Sequence, residues 1–300
     1  MNKILAQLST GKVLVSDGAW GTFLIKKGLK TGDCPELWNI THPDDVYDIA
    51  ISYINAGADI IETNSFGGTS IKLQQFNLDS KSFELNKSAA EISRRAAGLD
   101  KIVMGSVGPT GKFLMMEDVT EEELYNSFKE QAIGLAKGGA DAICIETFYD
   151  LAEAELAIKG ARENTDLEIL TTFTFDRTAD YSFKTLMGLS PQKVAESLIL
   201  LGADIIGANC GVGFEAMITI VKNIREVSDK IPILVQSNAG LPLIDGDKII
   251  YSETPDTIKE IIPRLIDAGA NIIGGCCGTT PEHIEVISEI VANYNKNKAL

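Results

Sequence analysis

The sequence predicts an α/β fold, a (β/α)8 TIM barrel, and three observations carry that expectation. First, one phrase recurs: Asn55-Ala-Gly-Ala-Asp-Ile-Ile, Lys137-Gly-Gly-Ala-Asp-Ala-Ile, Leu201-Gly-Ala-Asp-Ile-Ile and Asp267-Ala-Gly-Ala-Asn-Ile-Ile. Each copy follows an amphipathic stretch and precedes a short apolar run. It reads as a helix ended by a glycine C-cap, a tight turn and a buried strand. Second, short apolar runs alternate with helical patterns through all 300 residues, as parallel strands covered on both faces require. Third, polar, glycine-rich segments follow the strand ends, while the strand starts carry only short turns. That asymmetry belongs to a barrel whose working face lies at the C-terminal ends of its strands. A doubly wound open sheet is the rival; the even spacing and the lack of a dinucleotide fingerprint favour the barrel.

In chain order, strands are predicted near 12–16, 58–63, 101–106, 141–146, 168–174, 204–209, 232–237 and 271–275. Helices are predicted between and after them, near 44–56, 84–97, 120–137, 151–163, 191–201, 214–227, 255–268 and 281–293. The first helix shows the pattern: Thr41-His-Pro-Asp44 resembles a capping box, and Val46, Ile49, Ala50, Tyr53 and Ile54 form one apolar stripe. No Pro/Gly/Ser-rich linker interrupts the units, so one domain over residues 1–300 is expected.

Two neighbouring cysteines, Cys276 and Cys277, end the last apolar run inside Gly274-Gly-Cys-Cys-Gly278, and Cys210 ends the sixth. In a barrel these strand ends converge on one mouth. Three thiols there make a Cys₃ zinc site, one ligand short of tetrahedral closure, and an open position is what a catalytic zinc needs. The bland alternative is three buried structural cysteines. Cys34, in a polar loop, and Cys144, inside an apolar strand, read as non-ligands. His42 and His283 lie near predicted helix starts and read as surface residues. A phosphate site in the glycine-rich loop after the last strand is the rival use of Gly274 to Thr280, but no Lys or Arg is close by in sequence.

The net charge of −15 argues against nucleic acid and against anionic membrane surfaces. No apolar span is long enough for a membrane helix and no N-terminal secretion signal is present. Five cysteines without a disulfide framework fit a reducing, cytoplasmic setting.

From Asp17-Gly-Ala-Trp-Gly-Thr to Gly-Gly-Cys-Cys-Gly-Thr-Thr-Pro-Glu-His283, the chain resembles the homocysteine S-methyltransferase family. Val107-Gly-Pro-Thr-Gly111, Gly188-Leu-Ser-Pro and Asn238-Ala-Gly-Leu-Pro look most like the homocysteine-binding module of cobalamin-dependent methionine synthases. Small departures are Trp20, where Met or Tyr is usual, Ser65 in place of Thr, and Ser237 where Pro is common; none removes a presumed ligand. The resemblance implies zinc-dependent methyl transfer to L-homocysteine, with Cys210, Cys276 and Cys277 as catalytic metal ligands. It implies methylcobalamin as donor, carried on a separate protein or module, because no folate- or cobalamin-binding module follows the last helix. A small donor such as S-methylmethionine, or a homocysteine-binding subunit without turnover, are the alternatives.

The resemblance further implies that Asp17 and Glu146 hold the substrate ammonium, against the bland reading of loop carboxylates or N-caps. The substrate carboxylate is expected on backbone N–H groups of Gly18–Thr22 and Ser106–Gly108. Thr63 and Asn64 are expected to line the pocket, with turn capping as the alternative. Asn238 is read as a turn residue, a group approaching zinc, or a pocket wall.

Overall fold

The computed structural model describes residues 3–245 and 248–298. Eight parallel strands form the barrel: β1 (Leu14–Val15), β2 (Ile60–Glu62), β3 (Ile102–Val107), β4 (Ala142–Phe148), β5 (Glu168–Phe173), β6 (Ile205–Gly213), β7 (Ile233–Asn238) and β8 (Ile272–Gly275). Their order is β1-β8-β7-β6-β5-β4-β3-β2, and a parallel bridge between Ser16 and Ile60 joins the two ends. Around them run α1 (Pro43–Asn55), α2 (Ser82–Ala97), α3 (Glu121–Lys137), α4 (Leu151–Arg162), α5 (Pro191–Leu200), α6 (Phe214–Arg225), α7 (Ile261–Asp267) and α8 (Pro281–Lys298). All eight predicted strands and seven of the eight predicted helices are present as single elements, with ends shifted by a few residues.

Alternation along the short strands sorts the core into two layers. Leu14, Ile60, Ile102, Met104, Leu170, Ile205, Leu234 and Ile272 pack together inside the barrel. Val15, Ile61, Val103, Ile143, Ile169, Ile206, Val235 and Ile273 pack in the larger cluster shared with the helices. Cys144 belongs to the inner layer and is fully buried. The bottom of the barrel is plugged by a helix absent from the sequence reading, Lys3–Leu8, whose Ile4 joins that layer. Its first N–H groups are satisfied by a carboxylate at the start of β5: Ile4 N–H donates to Glu168 Oε2 (2.9 Å) and Leu5 N–H to Oε1 (2.8 Å).

The recurring phrase has a single physical content at all four copies. Gly57, Gly139, Gly202 and Gly269 all take left-handed φ, between 81° and 111°. The alanine after each donates back into the helix, as in Ala58 N–H to Tyr53 O at 3.1 Å and Ala270 N–H to Leu265 O at 3.2 Å. The acidic or amide side chain that follows accepts the N–H at the base of the preceding strand. Asp59 takes Val15 N–H (3.1 Å), Asp141 Val103 (3.0 Å), Asp204 Ile169 (2.8 Å) and Asn271 Ile233 (2.9 Å). The phrase therefore marks the even strands, β2, β4, β6 and β8, each clamped to its odd neighbour.

Three expectations are corrected. The predicted helix 255–268 is two pieces, Pro255–Ile258 and α7. Pro263 can neither donate to the Lys259 carbonyl nor tolerate it at helical distance, and the break falls at Lys259–Glu260. The capping box at Thr41 does not form: Thr41 ends a preceding short helix and its hydroxyl bonds Leu37 O (3.2 Å), while His42 precedes Pro43, the first residue of α1. His283 is not at the surface. It is 5 % exposed, with Nε2 3.0 Å from Glu253 O and Nδ1 3.2 Å from Thr280 N, and burial holds its imidazole below the usual pKa. His42 is exposed and stacks on Trp38.

Candidate active site

Cys210, Cys276 and Cys277 converge at the barrel mouth, their sulfurs all within 4.8 Å of one another. Among the described residues they are the one group of three or more His, Cys, Asp or Glu donors so placed. Cys210 does not simply end β6. The strand runs on to Gly213 and slips against β7, with Asn209 opposite Gln236 and Gly213 opposite Asn238. That bulge gives β6 extra residues, and it holds Cys210 at φ 58°, a left-handed conformation costly for a residue with a Cβ. The paired cysteines are fixed through their backbone. Gly275 N–H donates to Asp17 O (2.8 Å), Cys276 N–H to Ser237 O (2.6 Å), and Cys277 O accepts Ala239 N–H (3.0 Å). Thr279 closes the turn, donating its hydroxyl to Cys276 O (2.7 Å) and accepting Ala19 N–H (3.1 Å). A Cβ on Gly275 would lie 2.2 Å from that hydroxyl oxygen, so this approach requires glycine.

The three sulfurs form one electrostatic unit. Hydrogen bonds from the Cys276 and Cys277 thiols bring Cys210 down to about 3, while the same sharing raises its two partners. The side chain of Asn238 also bonds Cys210, and its Oδ1 is buried without a hydrogen-bond partner. A tetrahedral zinc with bonds of about 2.3 Å needs sulfurs about 3.8 Å apart. The donor set, its spacing and the orphaned oxygen beside it fit such an ion. Cys34 and Cys144 are both buried away from the trio, Cys34 against Leu73 and Leu85.

Beside the sulfurs lies a cavity of about 280 Å³, walled by Glu62, Glu146 and Gln236 as well as the cysteines. Gly18, Thr63, Asn64 and Ser106 also line it. Glu146 accepts the Ser106 hydroxyl on Oε1 and Asn209 Nδ2 (3.2 Å) on Oε2, and burial raises its carboxyl to about 7. Asn209 in turn accepts Thr147 N–H and the Thr172 hydroxyl, both at 2.8 Å, so one amide ties Glu146 to the residue preceding Cys210. Asp17 is fully buried and is not among the wall residues. Its Oδ2 takes Glu62 N–H (2.8 Å) and the Trp20 indole N–H (2.9 Å), its Oδ1 the Ser16 hydroxyl (3.3 Å), and burial raises it to about 7.

The hydroxyl of Thr63 contacts Ser65 and accepts Ser106 N–H (3.0 Å), and Asn64 donates to Pro35 O (2.8 Å), so both brace the loops. The N–H groups of Ser106 and Gly108 are spent within the protein, Gly108 on Phe66 O (2.8 Å), and so is that of Ala19. Neither the Ser106 nor the Gly108 N–H group is therefore free for an anion. Sequence reasoning missed Glu62, Gln236 and Asn209; each is the polar residue that follows an apolar run at a strand end, which is the signal that could have found them.

A sequence profile described as homocysteine S-methyltransferase matches residues 14–291. The methionine synthase of Mycobacterium tuberculosis is 31% identical over 97% of this chain, and that of Mycobacterium leprae 32% over 95%. The chain spans about a quarter of the length of these relatives, 26% and 25%. Among solved structures, the metallated form of the homocysteine methyltransferase MmuM from Escherichia coli superposes with a TM-score of 0.78 at 23% identity, over 96% of this chain and all of that one. A methyltransferase from Methanosarcina mazei superposes at 0.63 with 11% identity, over 95% of this chain and 94% of that one. The barrel is thus the fold of those enzymes, and the profile match over most of its length shows that this chain belongs to the homocysteine S-methyltransferase family.

Proposed function

We propose that this chain is a zinc-dependent methyltransferase module that makes L-methionine from L-homocysteine, with methylcobalamin on a separate protein or module as the donor. The observation that carries the reading is the convergence of three cysteine sulfurs on one side of a cavity whose other wall holds buried carboxylates. Cys210, Cys276 and Cys277 would hold the ion. Zinc bound there supplies a Lewis acid that takes a substrate thiol, with a pKa of about 8.5 when free, to its nucleophilic thiolate at neutral pH. The rest falls to the protein. The left-handed turn at Cys210 and the backbone ties of Cys276 keep the sulfurs in place. Glu146, oriented by Ser106 and Asn209, offers a carboxylate to the substrate ammonium. The buried wall would exclude water, and the methyl carbon would reach the sulfur through the mouth, the new C–S bond forming as the Co–C bond breaks with its electron pair left on the corrinoid and the thiol proton released to solvent.

The donor assignment is supported by the surroundings of that mouth. Phe66, Met115, Met116, Tyr181, Leu186 and Met187 are exposed on loops that follow strand ends, an apolar rim suited to a macromolecular donor carrier. The methionine synthase relatives are about four times as long as this chain. No described helix is long and apolar enough to cross a membrane, and the five free cysteines suit a reducing, cytoplasmic setting.

The test is metal analysis together with homocysteine-dependent demethylation of free methylcobalamin, followed at the corrinoid absorption bands. Purified protein should bind about one zinc and turn over slowly. Cys210→Ala, Cys276→Ala and Cys277→Ala should each lose the metal and the activity while remaining folded. A folded, reduced wild type unable to take up zinc would overturn the reading.

A further inference from the structure

Beside the three sulfurs runs a short stretch of chain that the proposed chemistry leaves idle. Two antiparallel strands follow β7, and the second, Lys248–Tyr251, leads into Ser252 and Glu253. Glu253 is tied toward every cysteine. Its N–H donates to Ala239 O (2.9 Å), and Ala239 N–H in turn donates to Cys277 O (3.0 Å). Its Oε2 accepts Phe214 N–H (2.8 Å), where the Cys210 strand β6 passes into α6. Its carbonyl meets His283 Nε2 (3.0 Å) on the helix after Cys277. With His283 Nδ1 taking Thr280 N–H (3.2 Å), Nε2 holds the proton and donates. Tyr251 rests on the cysteine turn itself: a Cβ on Gly278 would overlap three atoms of its ring. A Cβ on Gly213 would likewise overlap the Glu253 carboxylate. One glycine beyond each cysteine-bearing element thus makes room for this stretch. The half-buried phenol is near enough to feel the sulfurs: burial first, then the charges of Cys277, Cys210 and Cys276, push it up to about 12. Tyr251 does not line the substrate cavity, so it meets the cysteine turn from another side.

We propose that Tyr251–Glu253 is a strap over the cysteine site, with Glu253 the positioning residue that ties β6 to the turn after β8 and the Tyr251 ring the cover that keeps solvent off Cys277. The inference rests on the zinc reading above and names the residues that retain the ion. Three sulfurs drawn from two strands can hold a metal only while those strands keep their spacing. The bulge takes residues 210–212 out of the ladder between β6 and β7, so regular pairing does not fix Cys210 there. Glu253 supplies a tie just beyond the bulge, at Phe214. A bound ion is lost when water or a competing ligand reaches its sulfurs, and the shell around a site controls that access. The tyrosine's part is steric, so the ring and not the hydroxyl carries it.

Two rates test this. One is the removal of zinc from the loaded protein by an excess of a chromophoric chelator. The other is the alkylation of Cys277 by iodoacetamide in reduced, metal-free protein, mapped by peptide mass. Tyr251→Ala should speed both by about tenfold, the scale of one lost aromatic contact. Cys34 and Cys144, buried away from the trio, should stay unreacted and so report an intact fold. Tyr251→Phe keeps the ring and should match wild type within about twofold. Glu253→Ala should speed zinc release by about threefold to tenfold, the scale of one lost hydrogen bond, and provides the test if Tyr251→Ala does not fold. Glu168→Gln, which loosens the far end of the barrel, is the control: it should lower the melting temperature and leave zinc release unchanged. Wild-type rates in folded Tyr251→Ala or Glu253→Ala, a Tyr251→Phe protein as fast as Tyr251→Ala, or equal acceleration by Glu168→Gln overturns the strap. A wild type that takes up no zinc strikes at the zinc reading itself, while the alkylation rates still decide the cover, so the two failures are distinct.

Discussion

Glu146 illustrates how a site residue is set by its surroundings. The carboxyl is buried at the mouth, with Ser106 and Asn209 as donors, and desolvation outweighs them to raise it to about 7. An acid whose folded pKa exceeds its unfolded value, about 4.3, binds more protons in the native state between those two values. Its contribution is therefore fully favourable below the unfolded pKa and is lost as pH rises through 7. In metal-free protein, wild type should lose stability relative to Glu146→Gln between about pH 4.5 and 7, with a slope approaching about 1.4 kcal/mol per pH unit for one proton. Urea unfolding of both proteins across that range reads the difference directly. A pH-independent difference would mean that Glu146 ionises normally when buried. On the proposed reading, a substrate ammonium docking beside it would restore the ionised form.

At the scale of elements, the short N-terminal helix Lys3–Leu8 is informative because nothing in its six residues makes it stable alone. It exists because Ile4 fills the bottom of the barrel and Glu168 accepts its first N–H groups. Glu168→Gln keeps the volume but removes one of the two acceptor oxygens, leaving a buried N–H unpaired. The expected cost is about 1–3 kcal/mol in urea unfolding, with zinc content unchanged. A loss of metal without a loss of stability would contradict this separation of bottom and mouth. The Gly-Ala-Asp phrase works at the same scale: left-handed glycine, buried alanine and strand clamp were legible as a turn, but the hydrogen bond to the neighbouring strand was not. That bond joins Asp204 to Ile169, which belongs to the preceding βα unit.

The whole molecule divides its labour between its two ends. The bottom is closed by a plug and by clamped turns, and is spent on stability. The top carries the bulged, left-handed Cys210, the buried acids and an apolar rim. On the proposed reading the methyl group would come from a large carrier, met by the apolar rim rather than by a small-donor pocket. Transfer from free methylcobalamin should therefore be measurable, and transfer from S-methylmethionine or betaine weak or absent, in an assay that counts labelled methionine. The reverse pattern would assign a small donor and leave the cysteine site standing.

The barrel and its metal candidates were legible in the sequence because both are written in local patterns. Glycine-ended helices, apolar runs and cysteines at run ends depend on residues within one βα unit, and closure then brings Cys210 to Cys276 and Cys277. The polar partners were decided by tertiary structure alone. Whether an acid faces the cavity or sits behind its wall depends on strand stagger and on donors from other strands. Asp17 and Glu62 both follow apolar runs at strand ends, yet only Asp17 was singled out in the sequence, and it turns inward to the Glu62 backbone and Trp20. Glu62 faces Gln236, which lies 174 residues away in sequence and 2.8 Å away in space. His283 was misread for the same reason: its burial depends on Glu253, and no pattern around residue 283 announces that contact.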